Sequence, residues 1–151
     1  MIARYTQVAS TIALPQIQFG VGGITFFPNN ELDKEQIGYE GVDWKESWLV
    51  IAREDTCGDP IFVDVSDREL PVFTAWHGEG VWDPQPVAAT LSKFSEALVF
   101  LKPFCANREH PVGLTAHPLS SAERATLTDG LRRILGKPVP SFWQVLFEAA
   151  P

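Results

Sequence analysis

The order of hydrophobic patterns predicts an α+β domain, with a mainly antiparallel sheet formed first and helices packed on one side of it afterwards. Three observations carry this reading. Between Trp48 and His77, three apolar segments follow one another across turns of only a few residues. Connections that short suit antiparallel neighbours, because a parallel crossover needs a dozen residues or more. Beyond Pro86 the hydrophobic period changes to that of a helix. The chain has 151 residues, the length of one domain. A domain of that size buries roughly 70% of the surface its unfolded chain exposes.

Residues 1–20 are mixed and weakly patterned, and Leu14-Pro15 ends any helix that precedes it. Gly20-Val21-Gly22-Gly23 reads as a turn into a first strand, Ile24-Thr25-Phe26-Phe27, which Pro28-Asn29-Asn30 closes. Residues 31–46 are polar and charged, a surface loop with a short helical turn. Trp48–Ala52 is apolar throughout, as expected of a strand covered on both faces. Residues 55–59 form a turn around Gly58, with Asp55 placed to cap it.

Pro60–Val65 alternates, with Ile61, Val63 and Val65 on one face and Phe62 and Asp64 on the other. After the polar turn Ser66–Glu69, Pro71–His77 is strand-like again. Trp48 and Trp76 are expected in the core, and Trp44 and Trp82, in loops beside charges, at a rim or pocket.

Val87, Leu91, Phe94, Leu98 and Leu101 share one face of an amphipathic helix. Pro86 suits its first turn, Asp83 the positive end of its dipole, and Lys102-Pro103 its end. Residues 104–119 read as a loop. Ser120 and Glu123 have capping-box spacing and open a second helix. Its stripe is Leu127, Leu131, Ile134 and Leu135, and Gly136 with Pro138 stops it. The tail Ser141–Phe147 is apolar nearly all round, either a short helix packed into the core or an exposed contact.

The formal net charge is -7, with five Trp and ten Phe. A negative surface repels phosphate backbones and argues against unaided nucleic-acid binding. It either serves solubility alone or attracts a basic protein. Cys57 and Cys105 make no disulfide framework. The N-terminal residues lack a basic start and a continuous apolar run, and no stretch approaches a membrane span. A cytoplasmic protein with reduced thiols is expected.

No G-x-S-x-G elbow or P-loop is present, and His77-Gly78-Glu79-Gly80 has no nucleophile motif to serve. Gly20-Val21-Gly22-Gly23 lacks the spacing and setting of a dinucleotide site. His77, Glu79, Asp83, His110, His117, Cys57 and Cys105 fall at no zinc-site spacing. No catalytic set, metal or cofactor is therefore expected. Asp55, Asp59 and Asp64 bracket one hairpin. Asp64 stands inside a strand, and with His77 it marks where a ligand or catalytic cleft would form.

Leu14-Pro15, Gln36-Ile37-Gly38-Tyr39, Trp48–Ala52, Gly58–Asp64, Pro71-Val72-Phe73, His77-Gly78 and Trp82 follow in an order and spacing that resembles the SUKH superfamily. The helix with Leu91, Phe94 and Leu98 completes the resemblance, which covers residues 14–101, while residues 104–151 form a helical extension outside it. The resemblance implies a mixed, curved sheet with helices packed against it. It also implies a protein-binding role without an established catalytic set. Members include bacterial immunity proteins that neutralise polymorphic toxins, often nucleases, and a fungal branch of cell-wall-synthesis regulators.

The expected function is therefore non-enzymatic binding of a protein partner, a basic toxin domain in the first instance. A regulatory or scaffold protein is the alternative, and a small-ligand binder or enzyme using Asp64 and His77 the third reading. Glu40, Asp43, Trp44, Asp55, Asp59, Glu79 and Trp82 are the expected contact residues, with aromatics as anchors and acids steering the partner.

Overall fold

The computed structural model describes residues 1–19, 22–39, 41, 43–76, 80–109 and 116–147. The chain opens with α1 (Ile2–Ala9), β1 (Ile17–Phe19), β2 (Gly22–Phe26) and α2 (Leu32–Glu35). Strands β3 (Trp48–Glu54), β4 (Pro60–Asp64), β5 (Val72–Thr74) and β6 (Gln85–Ala88) follow. Helix α3 (Leu91–Leu101) then runs into a 3-10 turn at Lys102–Cys105. Helices α4 (Ser121–Leu135) and α5 (Ser141–Val145) come last.

The six strands form one curled sheet in sequence order, and every neighbouring pair is antiparallel. The α+β reading holds, and no parallel pair occurs among the described strands. The meander follows from short connections, which leave no room for crossovers.

Alternation along the strands divides the interior in two. Leu49, Ile61, Val63 and Val72 face the larger core, where Phe94 and Leu98 of α3, Leu127 and Leu131 of α4, and Trp143 of α5 meet them. Trp48, Val50, Phe62 and Ala75 face the other side, under Tyr39, Trp44, Phe73 and Trp82. A register shift between Val50 and Ala52 lets Ile51 and Ala52 join the same core, the usual effect of a bulge. Gly23 is required by close approach: a Cβ there would lie 2.6 Å from the Ile17 carbonyl oxygen and 2.7 Å from Asp55 Oδ2.

Both sheet edges are covered, which removes the hazard of exposed strand edges. At β1, the Gln18 N–H donates to Cys105 Sγ at 3.4 Å, and Lys102 Nζ donates to the Gln16 carbonyl at 2.8 Å. At β6, Trp143 Nε1 donates to the Val87 carbonyl at 2.8 Å. The tail is thus anchored inward through Trp143 and Leu146, while Val145 faces out.

Several sequence expectations are corrected. Residues 1–20 hold both α1 and β1. The helix expected from Pro86 begins at Leu91, because the Thr90 hydroxyl accepts from the Lys93 N–H at 3.0 Å and caps it there. Val87 is instead buried in β6, and Asp83 lies ahead of that strand, away from the helix start. The strand expected over Pro71–His77 spans only Val72–Thr74. Beyond it Trp76 is 59% exposed rather than in the core. The capping box of α4 is present: Ser120 Oγ accepts from the Glu123 N–H, and Glu123 accepts from the Ser120 N–H. Arg108 also donates to Glu123, at 2.9 Å.

Candidate functional site

On the sheet face opposite the long helices, Trp44 is the hub of an aromatic cluster. Its ring centroid lies 4.8 Å from Phe62, 5.0 Å from Tyr39, 5.2 Å from Trp48 and 5.3 Å from Trp82. Such tilted and edge-on pairs add to the burial each ring gains. The loop after α2 is folded down onto the sheet through Gln36. Its Nε2 donates to the Val50 carbonyl at 3.0 Å, and its Oε1 accepts from the Val50 N–H at 2.9 Å. Burial pushes the Tyr39 phenol up, and the Glu35 and Asp59 carboxylates push the same way, against Arg53. Asp43 is exposed beside Trp44.

A second feature lies at the other end of β3, where the β3–β4 turn faces α5. Glu54, Cys57, Asp59, Trp76, Phe142 and Val145 line a cleft of about 200 Å³. Glu54, rather than Asp55, caps the turn: its two carboxylate oxygens accept from the Thr56 and Cys57 N–H groups at 2.7 and 2.8 Å. Asp55 is half-buried, and its Oδ2 has no hydrogen-bond partner among the described residues. Glu54, Cys57 and Asp59 place possible metal-ligand atoms within 4.8 Å of one another. The Glu54 oxygens already serve the turn, so the grouping is accounted for by turn chemistry. Trp76 and Val145 are 59% and 64% exposed at the same cleft.

The sequence-predicted residues fall into two groups. Trp44 and Trp82 belong to the aromatic cluster, with Asp43 exposed next to Trp44 in sequence, and Asp55 and Asp59 belong to the β3–β4 turn. Asp59, just ahead of β4, and Asp64, at its end, are roughly 16 Å apart at a strand's rise per residue, too far to act as a carboxylate pair. Asp64 Oδ1 accepts from the Ser66 N–H at 3.0 Å and from the Ser66 hydroxyl at 2.6 Å. Burial pushes the Asp64 carboxyl up, but these bonds, one from Ser47 and the charge of Lys45 outweigh it and hold it below the usual range. It ends β4, opposite Trp48, and lines neither described cavity. Glu40, Glu79 and His77 lie outside the described residues.

Sequence reasoning missed Glu54, Trp76 and Val145. The available signal for Trp76 was its position next to Gly78 and Gly80, where a three-residue strand had room to end early.

Comparison with protein families, curated proteins and solved structures finds no match. The class of protein rests on the fold itself, an α+β protein built on a six-stranded antiparallel meander. Among the described residues no helix is long and apolar enough to cross a membrane.

Proposed function

We propose that this chain is a non-enzymatic protein-binding domain whose partner presents a basic surface to the cleft between the β3–β4 turn and α5. The observation that carries the reading is the exposure of Trp76 in a cleft shared with Val145, Phe142, Glu54 and Asp59. Exposed tryptophan surrounded by apolar neighbours and a charged rim is the composition of a binding hot spot. The net charge of -7 supports a basic partner, because it steers such a partner during diffusional encounter.

The SUKH resemblance favours one form of this reading, an immunity-type protein acting in the cytoplasm on a polymorphic toxin domain. A nuclease target fits, since its cleft is basic in order to hold phosphate.

The test is affinity capture from source-cell lysate and medium, with the native chain, Trp76→Ala and Asp59→Lys in parallel at low and moderate salt. The reading expects one basic protein enriched on the native chain, depleted on both variants and weakened by salt. Identical capture by all three chains, or no specific partner, contradicts it.

A further inference from the structure

A different cavity, between α4 and α5, encloses about 630 Å³, inside the range of roughly 300–1,000 Å³ found for small-molecule sites. It exists because α5 is drawn onto the sheet: Trp143 reaches the Val87 carbonyl on β6 and leaves a gap toward α4. Leu127, Leu131 and Trp143 give the groove an apolar floor continuous with the main core.

The charges around it run against the rest of the molecule. The chain carries 19 acidic and 12 basic side chains. Yet Arg124, Arg132 and Lys137 line this one groove, and no carboxylate among the described residues lines it. Arg124 Nη1 donates to the Phe147 carbonyl at 3.4 Å. Arg132 Nη1 donates to Asp129 at 3.0 Å, in a pair exposed enough to hold only weakly. Arg132 lies in the last turn of α4, Lys137 just past its Gly136 cap, and Arg124 near its start. Two cations therefore serve one end of the groove, and one, already engaged with a carbonyl, serves the other.

We propose that this groove binds an anionic amphiphile with the chemistry of a medium-chain carboxylate. Its apolar chain lies against Pro138, Val139 and Phe147, above the buried Leu127, Leu131 and Trp143, and its head group meets Arg132 and Lys137. Apolar burial supplies affinity, and the cations select the charged head over a neutral or cationic one.

The test is isothermal titration calorimetry of the full chain with decanoate, decanol and decyltrimethylammonium. Decanoate is expected to bind one to one, about tenfold more tightly than decanol, with no binding of the cationic amphiphile. Arg132→Gln with Lys137→Gln is expected to remove that tenfold preference, and Arg124→Gln to change it less. Thr128 is an exposed groove residue, so Thr128→Trp fills the groove without altering the core and is expected to abolish binding of both decanoate and decanol. The proposal is overturned if decanoate fails to bind, if it binds no better than decanol, if the double variant loses no more than Arg124→Gln, or if Thr128→Trp leaves binding unchanged.

Discussion

The side-chain amide of Gln36 stands where a strand would otherwise continue, exchanging two hydrogen bonds with the main chain of Val50. β2 pairs with β3 only as far as Phe26 opposite Ala52, and the Phe27 N–H then reaches the Ile51 carbonyl. Gln36 takes over at the next residue and also donates to the Leu32 carbonyl at 2.7 Å. One side chain thus closes α2, completes the edge of β3 and sets the path of the loop that carries Tyr39 and Trp44.

Replacing that amide by an apolar group of similar size, Gln36→Leu, leaves a buried donor and a buried acceptor of Val50 unpaired. The expected cost is about 2–6 kcal/mol, from roughly 1–3 kcal/mol for each of the two unsatisfied groups. Urea denaturation measures it. Tryptophan fluorescence is expected to shift in the native state as Trp44 loses its seat, and a loss below 1 kcal/mol would contradict the role given to Gln36.

Trp143 holds the tail by a comparable device. Its indole N–H meets the Val87 carbonyl, and its ring lies 5.8 Å from Phe94 and 5.3 Å from Phe142. Trp143→Phe keeps an aromatic ring but removes the donor and leaves a void. It is expected to destabilise the protein by about 2–3 kcal/mol. Hydrogen exchange is expected to rise most in α5 and along β6, and equal exchange rates there in the two proteins would contradict the anchoring.

Stability at high pH depends on Tyr5. Burial pushes its phenol up to about 12, against an ordinary value of about 10. Below pH 10 both the folded and unfolded chains hold the proton, and Tyr5 contributes no pH dependence. Above pH 10 the unfolded chain releases its proton first, so stability falls until the folded phenol ionises near pH 12. The difference amounts to about 2–3 kcal/mol at that pH. Tyr5→Phe lacks this titration, so the stability of the native chain relative to the variant is expected to drop between pH 10 and 12 and stay flat below. Tyr39 is common to both proteins and cancels in the comparison.

The parts of this fold that sequence alone revealed are those governed by local chemistry. The alternation in Pro60–Val65 places Ile61 and Val63 in one core and Phe62 in the other. The Ser120–Glu123 capping box marks the start of α4 to the residue. Val87 misled because its spacing to Leu91 fits a helical face, although a strand residue and a helix residue can share one core from either side of Ala89-Thr90. Trp76 misled because the apolar strand pattern runs through it and outweighed the nearby Gly78 and Gly80, although the strand stops two residues earlier.

Neither cavity was legible at all. Each depends on where α5 comes to rest, and that is decided by a hydrogen bond between residues 56 positions apart. Trp44 and Trp82 were legible as a related pair, but not the five-ring packing that joins them.

The most direct test of the protein-binding account is hydrogen exchange on the chain alone and in complex with its captured partner. The account predicts new protection at residues 54–59, 74–76 and 141–146, the walls of the cleft around Trp76. Protection confined to the aromatic cluster or the α4 surface, with those segments unchanged, would contradict it.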